Sequence, residues 1–140
     1  MEGDDARPRL NGVEGTIEIA SWDEETLVEI DDDRKLTRAS VTQHFHGDFE
    51  GEGSVTWLMA YRADGTADVI GLQRIVGTLG EAEGSVVLRS DGAFDGKVAD
   101  GRWTVVAGTA TGALERISGT GRSTAPVGGS PTYELDYELS

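Results

Sequence analysis

SVTWLMAYRADGTADVIGLQRI, residues 54–75, reads as a β-hairpin. Val55, Trp57, Met59 and Tyr61 alternate with Thr56, Leu58 and Ala60, the period of two that puts each set on one face of a strand. Ala63-Asp64-Gly65 fits a three-residue loop, a type I turn closed by a glycine in the left-handed region. That loop pairs Arg62 with Thr66 and fixes the register: Tyr61 faces Ala67, Met59 faces Val69, Trp57 faces Gly71 and Val55 faces Gln73. A tryptophan opposite a glycine suits the indole, which can lie over bare backbone. Arg74 falls opposite Ser54, on the face away from Trp57.

The flanking sequence repeats the pattern. Upstream, Lys35 to Phe49 is a strand with Thr37, Ala39, Val41, Gln43 and Phe45 on one face, and Gly51 and Gly53 break it. Val13, Gly15, Ile17 and Ile19 alternate with polar residues in a first strand that Trp22-Asp23-Glu24-Glu25 closes. Thr26 to Ile30 is a further short piece before an acidic turn, Asp31-Asp32-Asp33. Downstream, the hairpin's second strand runs to Leu79 and turns at Gly80. Ser85 to Phe94 and Lys97 to Ala107 form another hairpin about Asp95-Gly96. Thr109 to Gly121 reads as a loop entering a strand from Gly119, and Ala125 to Pro131 as a second loop. Tyr133, Leu135, Tyr137 and Leu139 alternate with Glu134, Asp136 and Glu138. Residues 1–12 read as a flexible N-terminal lead-in, and 13–140 as a single β-barrel domain.

No stretch carries a helical period over the roughly ten residues a helix needs. The fold expected is all-β, a closed or flattened antiparallel β-barrel of about eight strands; a β-sandwich is the alternative. The 140 residues fit one domain. With 26 Asp and Glu against 12 Lys and Arg, the net charge is −14, a field that repels phosphate backbones and anionic lipid heads. Nucleic acid and membrane are therefore not expected partners. The absence of cysteine removes disulfides, thiol nucleophiles and iron–sulfur clusters. The first ten residues have no apolar run of the signal-peptide kind, so the expected location is cytoplasmic.

Several stretches resemble a bacterial domain family of unknown function with an allene oxide cyclase-like β-barrel. They are residues 35–43, 47–53 and 58–66, Gly71-Leu72, Gly77-Thr78-Leu79-Gly80, Trp103 to Val106, and Gly108-Thr109-Ala110-Thr111-Gly112. The resemblance spans about Gly15 to Leu139. It implies an eight-stranded antiparallel barrel, often a homodimer, of a group that handles hydrophobic or aromatic small molecules without a cofactor. No motif of the plant cyclases maps onto residues here, so no catalytic role is carried over.

The sequence supplies its own candidates. An interior lined by Phe45, Val55, Trp57, Met59, Tyr61, Trp103, Tyr133 and Tyr137 would bind a hydrophobic or aromatic organic ligand. Gln43 and Gln73 are the polar groups of that wall and the candidate catalytic pair, polarising a carbonyl or enol by hydrogen bonds. The competing reading is a filled core in which the glutamines bond each other or backbone. His44, His46 and Asp48 share the opposite face, so a solvent-facing strand is the reading there and no metal is expected. Asp23, Glu24, Glu50 and Glu52 are carboxylates near apolar groups that could act as acid or base if buried. Arg38, Arg74 and Arg89 lie within strands; Arg74 would pair with an acid or bind an anion at the barrel mouth. Gly108 to Gly112 lacks the lysine and following helix of a phosphate loop. Three functions follow: a cofactor-independent cyclase or isomerase that folds its substrate, a noncatalytic carrier, and a filled barrel serving partner binding. Cavity volume separates them.

Overall fold

The computed structural model describes residues 11–139. These form nine strands and no helix: β1 (Asn11–Glu29), β2 (Lys35–Gly47), β3 (Phe49–Tyr61), β4 (Ala67–Leu79), β5 (Ala82–Phe94), β6 (Val98–Val105), β7 (Thr111–Gly112), β8 (Ile117–Pro126) and β9 (Thr132–Leu139). Eight of them close into an antiparallel barrel in the order β1-β2-β3-β4-β5-β6-β8-β9, and β9 returns to β1. The two-residue β7 is the extra strand, pairing with Gly84 and Ser85 of β5.

The hairpin of residues 54–75 has the register its turn chemistry dictates. Arg62 and Thr66 bond through their backbones, Gly65 has φ +88°, and Trp57 pairs with Gly71. A Cβ at Gly71 would stand 2.4 Å from Trp57 Cδ1, so only glycine leaves room for the indole over that backbone. Leu58 and Leu72 point outward at 45% and 57% exposure, whereas Gln73 is 2% exposed. Inside and outside are thereby settled for β3 and β4.

Three readings need correction. β1 does not end at Trp22–Glu25 but runs on to Glu29, with irregularities between Ile19 and Ser21 and between Thr26 and Val28. Each extra residue flips the alternation, so Ile17 and Ile19 face inward at odd positions and Trp22 at an even one, and one strand reads as two. The β2–β3 turn sits at Gly47-Asp48; Gly51 and Gly53 lie within β3, opposite Phe45 and Gln43. Of the expected lead-in, Asn11 and Gly12 belong to β1, pairing with Tyr137 and Asp136, and residues 1–10 lie outside the described residues. Leu139, expected on the inward face with Tyr133, Leu135 and Tyr137, is 41% exposed at the last described position of β9.

The barrel has unequal ends. The connections after β1, β3, β5 and β8 lie at the upper end; those after β2, β4 and β6 lie at the lower, with Asn11 and Leu139. The lower half is packed. Phe45 meets Tyr133 edge-on at 5.5 Å and lies 6.2 Å from Trp103 and 6.5 Å from Phe49. Leu79, Leu88, Leu114 and Leu135, each no more than 1% exposed, fill the space around them. Each such side chain contributes about 1.5–3 kcal/mol by leaving water.

The Tyr133 hydroxyl ties this plug to the β2–β3 turn. It accepts from the Phe49 N–H at 3.0 Å, and the carbonyls of His46 and Phe49 stand at 3.0 Å to take its proton. Burial raises its pKa, so it stays a neutral donor. Replacing Tyr133 with Phe leaves the ring in place but orphans a buried N–H. Urea unfolding of Tyr133→Phe should show a loss of about 1–3 kcal/mol with an unchanged m value.

Candidate functional site: a cavity in the upper half of the barrel

Side-chain size decides where the interior is open. One inward row runs from Met59 through Val69, Gly92, Gly101 and Ser123; the row above it runs Tyr61, Ala67, Phe94, Ala99 and Ala125. On the β4–β8 side these positions are mostly glycine, alanine and serine, too small to reach the axis. A cavity of about 320 Å³ remains, within the roughly 300–1,000 Å³ usual for ligand pockets. Trp57, Met59 and Tyr61 of β3 and Ile17, Ile19 and Trp22 of β1 form its aromatic and aliphatic wall.

Its floor is polar. Gln73 donates its amide N–H to the Gln43 side-chain oxygen, and both residues are buried and line the cavity. One bond leaves each amide with further donor and acceptor capacity. Ser90 and Trp103 complete this level. Trp103 stacks on Tyr133 at 6.0 Å, so it belongs to both cavity and plug. In the wall, Trp57 Nε1 is buried without a hydrogen-bond partner, the one such side-chain atom among the described residues.

At the mouth a carboxylate is held by neutral donors. Glu24 Oε2 accepts from Thr37 Oγ1 at 2.8 Å and from Tyr61 Oη at 2.9 Å; Oε1 accepts from Trp22 Nε1 at 3.0 Å. Partial burial works against its charge, but the bonds from Thr37, Trp22 and Tyr61, aided by nearby Lys35, outweigh it and hold its pKa below the ordinary value. Burial, then the Glu24 bond, push the Tyr61 phenol up to about 12. Trp22 and Trp57 lie 5.5 Å apart and tilted by 50°, and Lys35 Nζ sits 5.1 Å from the Tyr61 ring centre.

The model of a family described as "Protein of unknown function (DUF3224)" matches residues 13–137. The chain belongs to that family. A crystal structure of a DUF3224 protein of unknown function from Shewanella oneidensis MR-1 superposes with a TM-score of 0.75 at 21% identity, covering 94% of this chain and 98% of that one. At that identity the likeness speaks for the fold. No curated protein matches the chain.

Of the sequence-predicted residues, this DUF3224 chain brings Gln43, Gln73, Trp57, Met59, Tyr61 and Trp103 together around the cavity. It does not bring Phe45, Tyr133 and Tyr137 there: they lie in the lower core, and Val55 packs with Ala39, Val41 and Met59. They share the inward face, but at heights where the barrel is filled. Sequence reasoning named Glu24 as a carboxylate near apolar groups but missed its hydrogen-bond partners, and it missed Trp22 as a wall residue, because the irregularity after Ile19 hid their inward parity. The polar strand face is as expected. His46 Nε2 lies 3.4 Å from Glu18 and Nδ1 3.7 Å from Glu50, while Asp48 accepts the Glu14 N–H. Among the described residues no group of three or more potential metal ligands assembles. Arg74 reaches Ser85 Oγ at 3.3 Å and Arg38 pairs with Glu25, both away from the cavity.

A lowered carboxyl pKa makes folding favour the ionised form. Its contribution is present above the unfolded value of 4.5 and is lost as the pH falls through the folded value. Glu24→Gln removes this linkage. Urea midpoints of wild type and variant, followed from neutral pH to the acid side of 4.5, should differ most at neutral pH and converge in acid.

Proposed function

We propose that this barrel binds a small hydrophobic or aromatic organic molecule in its upper cavity. The observation that carries the reading is the partition of the interior, packed below and hollow above at about 320 Å³. Ala67, Ala99 and Ser123 all line the hollow, at positions where larger side chains would fill it. Rigid aromatic surface with polar tips suits conjugated or ring-bearing ligands. Filled structural use is disfavoured by the same volume.

A cyclase or isomerase is the finer form of this reading, and the Gln43–Gln73 floor favours it. An amide N–H at the bottom of an apolar chamber can polarise a carbonyl while the walls restrict the substrate's conformations. The allene oxide cyclase-like resemblance points the same way. The carrier reading needs only the walls.

Two experiments separate these. Conjugated and bicyclic compounds should quench tryptophan emission and raise the melting temperature, by about 2.7 kcal/mol of stability at a hundredfold excess over Kd. Ser123→Leu should keep the fold and abolish both effects; undiminished binding in that variant places the ligand elsewhere. Gln73→Leu alone should cost about 1–3 kcal/mol by stranding Gln43, and the double Gln43→Leu/Gln73→Leu variant should cost less than the two single changes added. A double variant that still binds but loses turnover of a bound polyene would favour the cyclase; unchanged turnover would remove the glutamines from it.

A further inference from the structure

We infer that the ligand carries a protonated amine, held at the cavity mouth between the Glu24 carboxylate and the faces of Trp22 and Tyr61. The inference rests on the binding reading above and assigns its ligand a charge. Glu24 bonds directly to Trp22 and Tyr61, both of which line the cavity. A carboxylate offers about four acceptor sites, and three are used, by Thr37, Tyr61 and Trp22. The fourth is on Oε1, on the Trp22 side. All three donors are neutral, so they orient the charge without cancelling it.

The aromatic groups add to this. A cation within about 6 Å of a tyrosine or tryptophan ring centre is attracted to its face. This mouth already shows the effect: the Lys35 ammonium rests 5.1 Å from the Tyr61 centroid, and its charge helps to keep Glu24 ionised. Lys35 makes no ion pair with Glu24 within 4.0 Å, so the carboxylate still has room for a closer cation. Neighbouring cations of the upper end are engaged elsewhere, Arg34 with Asp31 at 2.8 Å and Arg62 with Asp68 at 2.6 Å. The net charge of −14 draws cations toward the molecule and disfavours anionic ligands. The resulting ligand has a ring-sized apolar body in the hollow and an ammonium at its rim.

Three naphthalenes of equal size test this by tryptophan quenching at neutral pH: 1-naphthylmethylamine, 1-naphthylmethanol and 1-naphthoate. The amine should bind about tenfold tighter than the alcohol, and the carboxylate weakest. Glu24→Gln should erase the amine's advantage while leaving the alcohol's affinity within about twofold. Glu52→Gln, the same charge change on the outer face of β3, should leave the preference intact. Lys35→Met should strengthen amine binding by removing the resident cation. An alcohol that binds as well as the amine, or a preference that survives Glu24→Gln, overturns the amine and leaves the cavity reading standing. If none of the three probes binds, both fall.

Discussion

Pairing of Asn11–Thr16 with Thr132–Tyr137 is the contact that turns a row of strands into a barrel. Without it β4–β3–β2–β1 would end in an open edge, with unpaired N–H and C=O groups and one face of every strand half in water. Closure is achieved with only the lower part of β1. Above Thr16 its ladder with β9 stops, apart from the Ile17 N–H to the Pro131 carbonyl, while the ladder with β2 continues to Glu29. Among the described residues, one side of the upper β1 thus has no strand paired to it. Two bulge-like irregularities occur in this stretch, and such insertions bend a strand and re-aim its side chains. The first, between Ile19 and Ser21, turns Trp22 and Glu24 toward the mouth. The device that closes the barrel below therefore also builds the rim above.

The interior is then shared out by residue size. In a closed barrel every inward side chain competes for one axis, and eight strands leave just enough room for filling. The lower half spends large residues there: Phe45, Phe49, Trp103, Tyr133 and four leucines. A void in such a region forfeits dispersion contacts on one side of each lining atom, which close packing avoids. The upper half places most of its large residues on β1 and β3, facing mainly glycine, alanine and serine, with Phe94 of β5 and Val69 of β4 the exceptions. Trp57 and Trp103 sit in one inward row, separated by Gly71 and Ser90, so neither indole has a large side chain between it and the other. The plug makes the hollow tolerable, because it supplies the larger of the two buried apolar clusters, the smaller being Ala39, Val41, Val55 and Met59 behind the cavity wall.

The sequence carried the fold through its turns and alternation. The Ala63-Asp64-Gly65 loop alone fixed which residues of β3 and β4 look inward, since a one-residue slip would have exposed Trp57 and buried Leu58. It carried the polar floor for the same reason: Gln43 and Gln73 fall on inward positions of strands with unbroken alternation. What it did not carry is height. Phe45, Tyr133 and Tyr137 have the right face but the wrong level, and level depends on the stagger between strands, which no single strand's pattern contains. Nor did it carry the rim. Trp22 and Glu24 follow an inserted residue, and an insertion is invisible to a period-two reading except as an apparent end of the strand. Small inward residues were equally silent: Gly92, Ala99 and Ser123 look like weak strand positions until their rows are aligned across four strands.

The rim brings these threads to one chemical consequence. Elsewhere on this acidic surface Asp31, Glu25, Asp68 and Asp100 each meet an arginine, and such exposed pairs are worth little because water screens them. Glu24 is treated differently. Its charge is stabilised by an indole N–H and two hydroxyls, and one of those hydroxyls belongs to a tyrosine that burial and Glu24 itself keep protonated up to about 12. Dipoles stabilise a charge without neutralising it, so the negative potential persists at the edge of an apolar chamber, where screening by water is reduced on the cavity side. Fixing a net charge beside a hollow while satisfying its hydrogen bonds demands Thr37, Tyr61 and Trp22 from three different strands at once. A carboxylate needed only for solubility would require none of them.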